Sequence, residues 1–108
     1  MEIKKNKLGN FLVIDLPVRL DTSNYQELEK SLIGVIDQGE KDIVVNCSGL
    51  NYISSSGLRV FLIALKKLSS SGGRFHLCCL QDNIQEIFEI AGFTTIFTIF
   101  STLEEAAK

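Results

Sequence analysis

Two runs of three serines are the segments best placed to do chemistry, Ser54-Ser55-Ser56-Gly57 and Ser69-Ser70-Ser71. A seryl hydroxyl can cap a helix, act as a nucleophile or accept a phosphate, and its surroundings decide which. The first run follows Asp42-Ile43-Val44-Val45-Asn46-Cys47, a β-branched segment that reads as a strand, and precedes apolar residues at helical spacing. It therefore opens a helix, where free backbone N–H groups and the positive end of the dipole favour a phosphate. The second run closes the same helix, where carbonyls point outward and Lys66-Lys67 already complement the negative end. A phosphate there meets repulsion. Capping and turn chemistry account for either run without any functional role, and on the residues alone that reading stays open.

A catalytic serine is a weaker reading of the first run. A strand-turn-helix elbow needs G-x-S-x-G, and Gly57 has no partner glycine at the earlier position. The one histidine, His76, lies inside an apolar strand and reads as structural, so no general base is in view. Neither the dinucleotide glycine fingerprint nor the P-loop is present, and no cofactor is implied. Asp21, Asp42 and Asp82 are not clustered in sequence, although strand ends could bring Asp21 near the serine turn. Cys47, Cys78 and Cys79 lack metal-ligand spacing and sit in apolar runs, which predicts reduced, buried thiols and no metal site.

The elements that must position the turn follow from periodicity. Ile3 to Leu8 and Phe11 to Leu16 form two strands joined at Gly9-Asn10, a hairpin that Pro17 closes. Asp21-Thr22-Ser23-Asn24 is a cluster of capping residues. It precedes Tyr25, Leu28, Leu32, Val35 and Ile36, a helical stripe ending near Gly39. Asp42–Cys47 reads as the centre of the sheet, because such strands are covered on both faces. Leu58, Phe61, Leu62, Leu65 and Leu68 mark the helix after the serine turn, stopped by Ser69 to Gly73. Arg74 to Leu80 reads as a strand, Ile84, Ile87, Phe88 and Ala91 as a helix ending at Gly92, Ile96 to Phe100 as a strand, and Ser101 onward as a terminal helix. The order β-β-α-β-α-β-α-β-α predicts an α/β fold, a mixed β-sheet with helices packed against it, in one domain spanning residues 1–108.

Composition agrees with an ordinary globular domain. The 108 residues are 45% hydrophobic and 22% charged, with one proline, enough to form a core without crosslinks. A net charge of −2 with scattered basic residues gives no footprint for nucleic acid. Met1-Glu2-Ile3-Lys4-Lys5 lacks a signal-peptide apolar region, and no run is long enough to cross a membrane, which predicts a cytoplasmic protein.

The segment Asn46-Cys47-Ser48-Gly49-Leu50-Asn51-Tyr52-Ile53-Ser54-Ser55-Ser56-Gly57-Leu58 resembles the STAS domain of bacterial anti-sigma factor antagonists. That family carries a strand, an Asp-Leu-Ser-like turn, an aromatic-Ile pair, Asp-Ser-Ser-Gly-Leu and an amphipathic helix. The resemblance extends to Arg19-Leu20-Asp21 and to the tail from Ile84 through Ala106. It implies a binding protein, not an enzyme. The unphosphorylated form binds an anti-sigma factor that is also a serine kinase, releasing its sigma factor or other client. Phosphorylation reverses this, and a metal-dependent serine phosphatase restores binding. The family's acceptor falls on Ser55, with Ser54 and Ser56 less favoured. Asp21, Ser23, Ser54, Ser56, Gly57, Leu58 and Arg59 form the implied partner face, and Arg59 could pair with a phosphate or an acidic partner. Two positions depart from the pattern: Ser54 stands where the family has Asp, and Asn46 where the turn has Asp. The first departure makes an alternative possible, a non-phosphorylated STAS scaffolding or interaction module.

Overall fold

The computed structural model describes residues 3–108, so Met1 and Glu2 of the expected domain lie outside the described residues. Strand β1 (Lys4–Leu8) turns through Gly9, at φ +61°, into β2 (Phe11–Asp15). A short β3 (Arg19–Leu20) leads to α1 (Tyr25–Asp37), then β4 (Asp42–Asn46), a short β5 (Tyr52–Ile53) and α2 (Ser55–Ser70). The chain continues as β6 (Arg74–Cys78), α3 (Asp82–Ile90), a 3₁₀ turn (Phe93–Thr95), β7 (Thr98–Phe100) and α4 (Leu103–Ala106).

The sheet runs β1-β2-β4-β6-β7, antiparallel only at β1 and parallel elsewhere, with β4 central as its apolar run predicts. Alternation along the strands divides the core. Leu12, Ile14, Ile43, Val45, Phe75 and Leu77 meet α1, α2 and α3 on one face. Phe11, Val44 and Cys78 meet Ala106 of α4 on the other.

The mixed α/β architecture and the order of the main elements are as the sequence predicts; two strand boundaries need correction, and two further features go beyond the sequence reading. Ile96 and Phe97 donate their amides to the Phe93 carbonyl, so the last strand begins at Thr98, leaving Phe97 buried against Phe61, Phe75 and Phe88. The strand from Arg74 stops at Cys78, because Cys79 turns to φ +63°. On α2 the buried residues are Gly57, Val60, Phe61, Ala64 and Leu68, whereas Leu58, Leu62 and Leu65 are half-buried. The small Val60 and Ala64 face the sheet and let the helix lie close. Finally, β3 and β5 form a separate parallel ribbon that two-residue segments cannot announce by period.

Candidate functional site

The ribbon sets the serine turn in place. Arg19 pairs with Tyr52 and Leu20 with Ile53, so the chain leaves β3 at Asp21 beside the point where it leaves β5 at Ser54. The Ser54 amide donates to the Leu20 carbonyl at 2.9 Å, tying the two exits together. Sequence proximity had no way to show this contact between segments more than thirty residues apart.

Ser54 is the N-cap of α2. Its backbone is extended, its Oγ accepts from the Gly57 amide at 3.3 Å, and its carbonyl takes the Leu58 amide at 3.0 Å. A hydroxyl thus fills the capping role that a carboxylate would fill. Ser55 and Ser56 lie in the first turn of the helix, so the run opens α2 as its sequence predicts. Ser55 is exposed and its Oγ bonds no described residue; Ser56 and Ser54 are half-buried. The first-turn amides of Ser55 and Ser56 have no intrahelical partner.

Gly57 is buried, which removes it from the surface that a partner could touch. A Cβ there would come 2.9 Å from Leu20 Cγ and 3.0 Å from Ile53 Cγ1. Its hydrogen lets the first turn of α2 rest on the ribbon. Leu58 is half-buried against the core, and Arg59 is exposed with no ion pair among the described residues.

The neighbouring loop is held by its own polar groups. Asp21 Oδ1 accepts from the Ser23 hydroxyl at 2.6 Å and the Ser23 amide at 2.9 Å, and these bonds, with a weaker one from Arg19, hold its carboxyl below the usual carboxylate range. Asn24 stands at the N-cap of α1 without capping it. Its side chain instead accepts from the Asp21 amide and donates to the Arg19 carbonyl. The Arg19 guanidinium lies 4.3 Å from the Tyr52 ring centroid, joining the ribbon's exposed edge. Asp21, Ser23 and the serine run therefore share one end of the molecule.

The second serine run is otherwise engaged. Ser70 and Ser71 donate their hydroxyls to the Lys67 and Leu68 carbonyls, and Lys41 donates to the Ser71 carbonyl at 2.6 Å. These groups close the helix C-terminus.

Asn46 has a structural reason to differ from aspartate. It lies opposite Asp15 across β2 and β4, donates to Asp15 Oδ1 at 2.9 Å, and accepts from the Ser48 amide at 3.1 Å. An amide satisfies both neighbours, whereas a carboxylate would face another carboxylate.

His76 packs against Phe11 and Phe100 in tilted contacts, at 5.2 and 5.0 Å between ring centroids, and its Nδ1 lies 2.8 Å from the Ala106 carbonyl. That nitrogen must carry hydrogen and donate. Burial pushes the Cys47 thiol up, and burial with the adjacent Cys79 thiol pushes Cys78 up to about 12. Cys79 is half-buried, unlike the fully buried thiol expected from its apolar run. Among the described residues no three of His, Cys, Asp and Glu are grouped to hold a metal ion, and no helix is long and apolar enough to cross a membrane.

Comparison with known proteins places this geometry in a family. The family model described as STAS domain matches residues 2–106. The chain is 36% identical over 107 residues to BtrV of Bordetella bronchiseptica, assigned as an anti-sigma factor antagonist, covering 99% of this chain and 92% of that one. A crystal structure from Thermotoga maritima, assigned likewise, superposes with a TM-score of 0.90 at 24% identity, covering 96% and 90% of the two chains. The anti-sigma factor antagonist SpoIIAA superposes at 0.84 in its unphosphorylated form (23% identity, 97% and 92% covered). Its phosphorylated form, from Bacillus, superposes at 0.77 (23%, 97% and 96%). At these identities the structures establish the fold.

Proposed function

The chain belongs to the STAS domain family, and on that footing we propose that it is an anti-sigma factor antagonist switched by phosphate on Ser55. The observation that carries the reading is the position of Ser55: exposed, unbonded, and in the first turn of α2, beside a serine already used as the cap. Its unphosphorylated form binds an anti-sigma factor with serine-kinase activity, acting in the bacterial cytosol as a single STAS domain, and the client sigma factor is released. BtrV, the relative at 36% identity, and SpoIIAA, which occurs in both phosphorylation forms, support this reading.

In the transfer step Ser55 Oγ attacks the γ-phosphorus of ATP held by the kinase. The Oγ–P bond forms, the bond from phosphorus to the ADP oxygen breaks, and the hydroxyl proton leaves to a base on the kinase. A metal-dependent serine phosphatase reverses the state by adding water to phosphorus, which returns serine and inorganic phosphate. The added charge of about −1.5 to −2 acts at the docking surface by repulsion and desolvation, with no large rearrangement of the core. Asp21, Ser23, Ser54, Ser56, Leu58 and Arg59 border that surface.

Intact and peptide mass spectrometry after incubation with the cognate kinase and ATP tests the acceptor. One phosphate on Ser55 is expected. No uptake would leave a non-phosphorylated STAS interaction module, which Ser54 in place of the family's Asp makes possible, and uptake confined to Ser69–Ser71 would overturn the site.

A further inference from the structure

We propose that Arg59 is the intramolecular clamp for a phosphate on Ser55, so that phosphorylation withdraws from the partner surface a cation that the unphosphorylated protein presents. The inference rests on the reading of Ser55 as acceptor and adds the group that receives the phosphate. Ser55 and Arg59 stand four residues apart on α2, both exposed. Residues at that spacing are stacked on one helix face, with Cβ atoms about 5–6 Å apart. Side chains on a helix lean towards its N-terminus, so Arg59 covers the turn that carries Ser55. The order, anion first and cation four residues later, is the favourable one for such a pair.

The rest of the surroundings leave the guanidinium available. It borders a groove with Tyr25, Gln26, Glu27, Glu29 and Lys30 of α1, and no ion pair engages it among the described residues. Asp21 is occupied by Ser23 and Arg19. A dianionic phosphate outcompetes single carboxylates for a planar guanidinium, which can meet two of its oxygens at once. Before phosphorylation the same cation faces solvent beside the acceptor, where it suits an acidic side chain of the partner. After phosphorylation it is held by the chain's own phosphate, and the partner loses an attraction in addition to meeting a repulsion.

The test uses full-length protein carrying phosphoserine at position 55 installed during translation, so that no kinase is required. Titration followed by phosphorus NMR reads the second ionisation of the phosphate, ordinarily near pH 6. In the Arg59→Gln protein that pKa rises by about 0.3 over the wild-type value, Arg59→Lys restores at least half of the difference, and 1 M NaCl narrows it. The same pKa in all three proteins would overturn the clamp. Failure of a kinase to label Ser55 would overturn the switch and leave this titration intact, so the two readings fail separately.

Discussion

Ser54, Ser55 and Ser56 are adjacent, yet only one hydroxyl is both exposed and uncommitted. Ser54 spends its Oγ on the Gly57 amide, so Ser54→Ala costs about 1 kcal/mol of stability in urea denaturation while Ser54→Asp, an equally good cap, recovers it. Gly57 shows how magnitudes decide a sign. Alanine in a helix gains up to about 1 kcal/mol over glycine, but a Cβ at Gly57 meets Leu20 and Ile53 at 2.9–3.0 Å, and overpacking costs about 1–3 kcal/mol. Gly57→Ala is therefore destabilising and loosens the acceptor turn. Gly34→Ala, inside α1 with nothing within 4 Å of its Cβ, gains about 0.5–1 kcal/mol in the same assay.

At the scale of elements, the join between β2 and β4 carries a pair that chemistry alone can test. Asn46→Asp replaces a hydrogen bond to Asp15 with two facing carboxylates, at a cost of about 1–3 kcal/mol at neutral pH. The deficit shrinks in acid as one of the pair takes up a proton, which denaturation midpoints at two pH values will read. Longer elements were legible in the sequence: α1, α2 and α3 carry a helical period, β2 and β4 are continuous apolar runs, and Gly9-Asn10 marks the hairpin. The serine run at a helix start was legible for the same reason. The β3–β5 ribbon was not, since two residues show no alternation and its partners are distant in the chain. The buried state of Gly57 was hidden with it, because only the ribbon supplies the atoms that crowd it. Phe97 was misread as strand because an apolar residue packed in an aromatic cluster and one in a sheet share the same type.

Across the whole molecule, two ionised carboxylates with partners contribute to the response to acid. Asp21, through Ser23 and then Arg19, and Asp42, through Arg74, both hold pKa values below the ordinary 3.8. A depressed carboxylate contributes stability that is present above its unfolded value and lost as pH falls through its folded one. Stability is thus insensitive to these groups from neutrality to about pH 4 and falls below it. Arg74→Gln is less stable at neutral pH, and its gap from the wild type closes in that acid window, as urea midpoints will show. On the proposed reading, a charge added at Ser55 acts on what docks at the serine end of the molecule. Titration calorimetry of the cognate anti-sigma kinase against the unphosphorylated chain and the chain phosphorylated on Ser55 tests the switch most directly. At least about tenfold weaker binding of the phosphorylated form is predicted, or 1.4 kcal/mol, and equal affinity of the two forms would contradict it.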